Sequence, residues 1–132
     1  MPIFKLTDSL SVAAQITPQD VPHLAAQGFT AVVCNRPDDE ASGQSSMDEI
    51  EAACIAAGLL FVRYPVNAMN FPGPDLEGLA ELFDDSTQSV LAYCRTGTRC
   101  ANLWVASRGE AERLESVNVA RAIGFDLSMV VR

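Results

Sequence analysis

One histidine, His23, is found in the whole chain of 132 residues. That scarcity excludes Cys-His proteases and histidine-rich metal sites. His23 itself lies off the apolar stripe of its segment and reads as a solvated surface residue. Basic side chains are also few: nine Lys and Arg stand against seventeen Asp and Glu, for a net charge of −8. Nucleic acid and anionic membranes both need a basic face, so neither is expected as a partner. The four cysteines, at 34, 54, 94 and 100, form no Cys-x-x-Cys and no metal-ligand spacing. No metal site and no disulfide framework are expected, and the reducing cytosol is the simplest compartment. No apolar run is long enough to cross a bilayer. Met1-Pro2-Ile3-Phe4-Lys5 lacks the charged start and apolar core of a secretory leader. Internal repeats, linkers, low-complexity stretches and cofactor fingerprints are all missing, so no cofactor is expected.

What remains is a globular composition, 48% hydrophobic and 20% charged, long enough to bury a core as one domain over residues 1–132. Two short apolar stretches around Thr7-Asp8-Ser9 predict a hairpin-like start. Thr17-Pro18-Gln19-Asp20 starts a helix that runs to Gln27 with Val21, Leu24 and Ala25 inward. Residues 30–34 and 59–66 read as buried strands. Between them lies a helix from about Ser46 to Ala57, stopped by Gly58, with Cys54 on its packing face. The irregular loop 67–73 carries Met69 and Phe71, which either line a pocket or fold back on the core. Pro74-Asp75 opens a helix through about Phe83. After a fourth apolar run and its helix, residues 110–123 form a last helix with Leu114, Val117, Ala120 and Ile123 as its stripe. Phe125-Asp126-Leu127 is the expected anchor of the tail. The alternation predicts an α/β sandwich around a mostly parallel sheet of four to five strands.

The chemistry concentrates in Ser89-Val90-Leu91-Ala92-Tyr93-Cys94-Arg95-Thr96-Gly97-Thr98-Arg99-Cys100. A buried strand breaks into a polar turn with one glycine and resumes as the helix Ala101-Asn102-Leu103-Trp104-Val105. That geometry aims backbone N–H groups and a helix N-terminus at one point. Cys94 sits at its mouth, beside two of the nine basic residues. The expected result is a low-pKa thiolate in an anion nest, with a small anion or an anionic group as its partner. Strand-end cysteines are usually core, a reading that suits Cys34 and Cys54 but not Cys94. In parallel sheets ligands bind beyond the carboxyl ends of the strands. The loops 35–40, 67–73 and 94–99 all leave strands there and should meet.

These segments resemble a family. Ala13-Ala14-Gln15-Ile16, Gly28-Phe29-Thr30, Asn35-Arg36-Pro37-Asp38 and Ala92-Tyr93-Cys94-Arg95-Thr96-Gly97-Thr98-Arg99 with Asn102-Leu103-Trp104 look like the bacterial beta-lactamase-hydrolase-like, phosphatase-like domain family. Its members are labelled variously as phosphatases or sulfur transferases. The resemblance spans nearly the whole chain. It implies the dual-specificity tyrosine-phosphatase fold, with Cys94 as nucleophile and Arg99 closing the loop.

Three departures bear on the reaction. Phosphatases of that fold carry His-Cys, five residues, then Arg; here Tyr93 precedes Cys94 and four residues separate it from Arg99. Six-residue loops of this kind are typical of rhodaneses, where amides surround a persulfide sulfur. The loop that would hold the leaving-group acid carries Asn67 and Asn70, leaving Asp38 and Asp75 as candidate acids. Cys100 stands where Ser or Thr would hydrogen-bond the nucleophile. It is either a weak donor that accepts sulfur or closes a protective disulfide, or simply the first buried residue of the helix.

The leading expectation is therefore a rhodanese-type sulfurtransferase working through a Cys94 persulfide. Arg95, Thr96, Gly97, Thr98 and Arg99 would hold the anion, with Cys100 adjoining and Arg36 as an outer contact. A sulfide-oxidising enzyme is the partner this implies. The alternative is a phosphomonoester hydrolase with a Cys94 phosphocysteine. A third reading, from another class, is a non-catalytic anion-binding or redox-sensing module.

Overall fold

The computed structural model describes residues 1–131. Strand β1 (Ile3–Lys5) turns through Thr7 and Ser9 and pairs antiparallel with β2 (Leu10–Ala13), the hairpin the turn residues predict. A 3-10 turn (Pro18–Asp20) leads into α1 (Val21–Ala26), then β3 (Ala31–Cys34), α2 (Met47–Ala57) and β4 (Leu60–Arg63). Helix α3 (Leu76–Asp84), strand β5 (Val90–Tyr93) and helices α4 (Thr98–Ala106) and α5 (Glu110–Ile123) complete the chain. The sheet order is β1-β2-β5-β3-β4, so β5 lies between β2 and β3 and is parallel to both.

Side chains alternate between the two faces of each strand, and two apolar layers result. On one side Val12, Val33, Val90, Ala92 and Cys94 pack with Leu79, Phe83, Leu103, Trp104 and Val117 from α3, α4 and α5. On the other, Ala13, Val32, Cys34, Leu91 and Tyr93 pack with Leu24, Ile50 and Cys54 from α1 and α2. This is the helix–sheet–helix sandwich the alternation predicts, with the carboxyl ends of the four parallel strands at one end.

Two expectations need correction. The segment 59–66 is not a buried strand: β4 spans only four residues, and Leu60 is half exposed. It is last in the order, with β3 as its only neighbour in the sheet. Leu114 is not part of a buried stripe. Residues 110–115 are all exposed, and the buried face of α5 begins only at Ser116.

The tail is anchored where expected. Leu127 is buried, Phe125 meets Phe4 edge to face, and Asn102 Nδ2 donates to Thr98 O and Asp126 O, each at 2.8 Å. One buried amide thus joins the first turn of α4 to the tail. Replacing it removes the donor that ties Asp126 O to the start of α4. Asn102→Ala is expected to cost about 1–3 kcal/mol in urea unfolding and to raise hydrogen exchange in residues 125–131 before the sheet opens.

Candidate active site

The loop after β5 is held from both sides by its parallel neighbours. Cys94 N–H donates to Ala13 O at 3.3 Å and Asn35 N–H to Tyr93 O at 2.8 Å. The strand cannot run on as a strand, because Gly97 adopts φ +90° and α4 begins at the next residue. A Cβ at Gly97 would also lie 3.2 Å from the Phe125 ring, so both the conformation and the space require glycine. The turn brings the Gly97 N–H to Cys94 Sγ at 3.1 Å.

Cys94 is 1% exposed, and burial alone would raise its pKa. Instead the thiol is lowered from 9.0 to about 5, first by the hydrogen bond from the Cys100 side chain and then by the backbone N–H groups of Cys100, Thr96 and Arg99. The direction is the one expected, but the largest cause is not the one the sequence suggested. Short-range donors hold the proton off, rather than the charge of Arg95, which is exposed on the loop. Cys100 is fully buried with its own thiol pushed up, first by burial and next by Cys94. Cys100 is the buried first-turn residue of α4, and its side chain donates to the Cys94 sulfur. Tyr93 faces the opposite layer, beside Cys34, and its hydroxyl is raised by burial.

Arg99 reaches across to the loop after β3. Its Nη1 donates to Glu40 Oε2 and Val66 O, each at 2.9 Å, and its Nη2 to Glu40 Oε1 at 2.7 Å. Arg36 Nε donates to the same Oε1 at 3.0 Å, and Arg36 Nη1 to Gln15 Oε1 at 3.1 Å. Glu40 is held well below the usual carboxylate range, chiefly by its Arg99 hydrogen bonds. This clasp fixes the guanidinium by one edge. Among the described residues, its Nε–H and second Nη2–H are left over, two parallel donors on the other edge that match two oxygens of an anion.

Arg99 thus joins the loops 35–40 and 94–99, and reaches Val66, the residue just before the loop 67–73. Thr96 and Thr98 join hydroxyl to hydroxyl at 2.9 Å on the rim. Arg36 is not an outer contact: it is 4% exposed and acts as a brace behind Glu40. The two candidate acids are both engaged in helix caps. Asp38 Oδ1 accepts from Met47 N at 2.9 Å at the start of α2, and Asp75 Oδ1 accepts from Gly78 N at 2.9 Å at the start of α3. Glu40 is the residue that sequence reasoning passed over. The available signal was an acid four residues after Arg36, in a loop already placed at the carboxyl end of a strand.

A buried cysteine thiolate in a ring of amides between the central strand and a helix, closed by an arginine, on a β1-β2-β5-β3-β4 sheet, defines a Cys-based enzyme of the tyrosine-phosphatase fold. Residues 3–111 match the family model "Beta-lactamase hydrolase-like protein, phosphatase-like domain", and the chain belongs to that family. A beta-lactamase hydrolase-like protein of Agrobacterium fabrum is 30% identical over all of this chain and 31% of its own length. The chain therefore spans about a third of that relative. A candidate phosphatase from Neisseria meningitidis, known from its crystal structure, is 35% identical with TM-score 0.77, covering 96% of this chain and 92% of its own. PTPMT1 in complex with PI(5)P shares the fold at TM-score 0.70 and 14% identity, over 97% of this chain and 91% of that one.

Two measurements follow from this geometry. A thiol of pKa about 5 is ionised above that pH and loses its charge as pH falls through it. Iodoacetate alkylation of Cys94 is expected to be level from about pH 6 to 9 and to fall below about 5. In Cys100→Ala, which removes the largest donor, the inflection moves up. Glu40→Gln removes the charge that holds Arg99 and is expected to weaken phosphate or sulfate binding about tenfold, read by calorimetry, with little change in the alkylation profile.

Proposed function

We propose that the domain is a phosphomonoester hydrolase working through a Cys94 phosphocysteine. The observation that carries the reading is a Cys94 thiol held by loop amides at the start of α4, with Arg99 of the same loop charge-coupled to it and keeping Nε–H and one Nη2–H unused among the described residues. The family and the Neisseria relative support the same reaction class. In the fold neighbour PTPMT1, the ligand PI(5)P carries a phosphate ester.

In the first step the thiolate attacks phosphorus, the S–P bond forms and the ester P–O bond breaks, its electron pair leaving with the alcohol oxygen. The non-bridging oxygens meet the amides of residues 95–99 and the Nε–H and Nη2–H of Arg99, donors fixed before charge develops. Water then cleaves the S–P bond and releases inorganic phosphate. General acid catalysis of the departing oxygen is worth about 10²–10⁴-fold. Asp38 and Asp75 cap helices and Glu40 is held as a carboxylate, so the reading includes no dedicated acid. The rate should depend steeply on how readily the alcohol leaves as an anion.

A second reading, sulfur transfer, is favoured by that same lack of an acid and by the four-residue spacing from Cys94 to Arg99. There the thiolate takes the outer sulfur of thiosulfate, releasing sulfite and leaving a Cys94 persulfide, which an acceptor thiolate then removes. No leaving-group proton is needed.

One experiment separates the two. The purified protein is given p-nitrophenyl phosphate in one arm and thiosulfate in the other, each beside Cys94→Ser. Phosphate release lost in Cys94→Ser and lowered about 10²–10³-fold in Arg99→Lys is the expected result. No turnover, with a gain of one sulfur in the intact mass that cyanide removes, overturns it in favour of sulfur transfer.

A further inference from the structure

Strand β4 ends one side of the sheet, and its outer edge is open. Its pairing with β3 fixes which way each residue faces. Leu60 N–H donates to Thr30 O at 3.0 Å and Tyr64 N–H to Cys34 O at 2.9 Å, so the even-numbered residues aim their backbone groups at β3. Alternation along the strand then turns the N–H and C=O of Phe61 and Arg63 outward. Among the described residues these four groups have no partner. The opening ends at Pro65, which has no N–H and whose carbonyl already accepts from Asn70 Nδ2 at 3.2 Å. Within β4 there is no lysine, proline or bulge, the devices that usually blunt an edge. Its one charge, Arg63, is tied back onto α2 through Asp48 Oδ1 at 2.7 Å and Glu51 Oε1 at 3.1 Å.

We propose that this edge pairs with the β4 edge of a second copy of the chain, antiparallel about a two-fold axis at Val62, so that two sheets become one. The inference stands apart from the hydrolase reading and uses none of its residues. Hydrogen bonding sets the register. Two outward-facing residues at a spacing of two are satisfied by two others at the same spacing, and Phe61 and Arg63 of the second copy are such a pair. Phe61 then faces the second copy's Arg63, Arg63 faces its Phe61, and Val62 meets Val62 between them. An unstructured peptide could make the same bonds, but it would first have to be ordered. A second β4 is already extended.

The side chains suit that register on both faces. On one, Leu60, 50% exposed, comes opposite Tyr64 of the second copy. There it meets a groove of 430 Å³ whose lining includes Val62, Tyr64, Leu79 and Leu82. On the other, Arg63 already lies 5.8 Å from the Phe61 ring centroid of its own chain. The pairing sets each guanidinium opposite the other copy's ring as well, a cation against a negative π face. Asp48, Glu51 and Ile55 share one stripe of α2 beside this edge (i, i+3, i+7), and Ile55, 71% exposed, extends its apolar margin. Because the paired strands run antiparallel, the two Cys94 loops lie at opposite ends of the joined sheet.

The test is the oligomeric state and its register. In sedimentation equilibrium from about 1 to 500 μM, the 14.2 kDa chain is expected to shift to twice that mass. Each copy carries a net charge of −8, so added salt should strengthen the association. Phe61→Pro deletes a donor that bonds nothing within the chain, and with it two of the bonds between copies. It is expected to weaken the dimer about tenfold or more. Leu60→Lys, which sets a charge opposite the second copy's Tyr64, should weaken it too. The register is read by cross-linking in Cys94→Ser with diamide as oxidant. Val62→Cys faces its own mate across the axis at a Cα distance of about 4.5 Å, within disulfide reach, and should cross-link. Leu60→Cys, whose mate stands four residues along at about 14 Å, should not. A monomer at every concentration overturns the proposal. So does a dimer that neither Phe61→Pro nor Leu60→Lys weakens, or cross-linking of Leu60→Cys as complete as that of Val62→Cys. Where Phe61→Pro fails to fold, Leu60→Lys and the cross-linking pair decide.

Discussion

A negative charge on a sulfur atom with almost no access to water is the condition on which this molecule depends. Such a charge survives only if fixed donors replace the lost hydration. The donors belong to residues 96–100, where backbone and a buried thiol converge because a parallel strand must hand over to a helix within four residues. β2 and β3 hold that handover in register, and Gly97 supplies the one conformation that completes it. The central position of β5 is therefore electrostatic as well as topological. An edge strand, with a neighbour on one side only, would leave the loop able to move away from its sulfur.

The second layer of the site is the control of Arg99. A guanidinium free to rotate would approach the thiolate itself, and the two opposite charges would satisfy each other. Glu40 and the Val66 carbonyl hold it by the far edge, while Arg36 steadies Glu40 from behind. Glu40, Val66 and Arg36, with Gln15 holding Arg36 in turn, thus keep one cation available for a ligand. The arrangement also makes the 35–40 turn a structural part of the site, and Asp39 there adopts φ +63°, a left-handed backbone that aspartate tolerates better than most residues.

How far the sequence revealed this depended on distance along the chain. The Cys94 loop was readable because its donors are consecutive: a strand, a glycine turn and a helix start can be recognised together. The layers followed from the two periodicities, and the site's location from the rule for parallel strands. The Glu40 clasp was not readable, since it spans 59 residues and neither residue alone looks paired. For the same reason Asp38 and Asp75 could be listed as acids, because only the folded chain brings Met47 and Gly78 to them. At Cys94 the charges of Arg95 and Arg99 were visible in the sequence, whereas the Cys100 side chain, the largest cause of the lowering, was legible only as a weak donor. The edge position of β4 and the overhang of α5 were hidden likewise, as strand order and helix docking are properties of the assembled layers.

The division of the four cysteines between the two sides of the sheet carries a further consequence. Cys34 and Cys54 lie in one layer, Cys94 and Cys100 in the other, and a sheet of paired backbone separates them. Cys34, Cys54 and Cys100 all have their thiols pushed up, first by burial. The folded chain therefore presents four thiols to analysis but one to chemistry. A thiol-directed reporter would count active molecules in a preparation, and denaturation would reveal the other three.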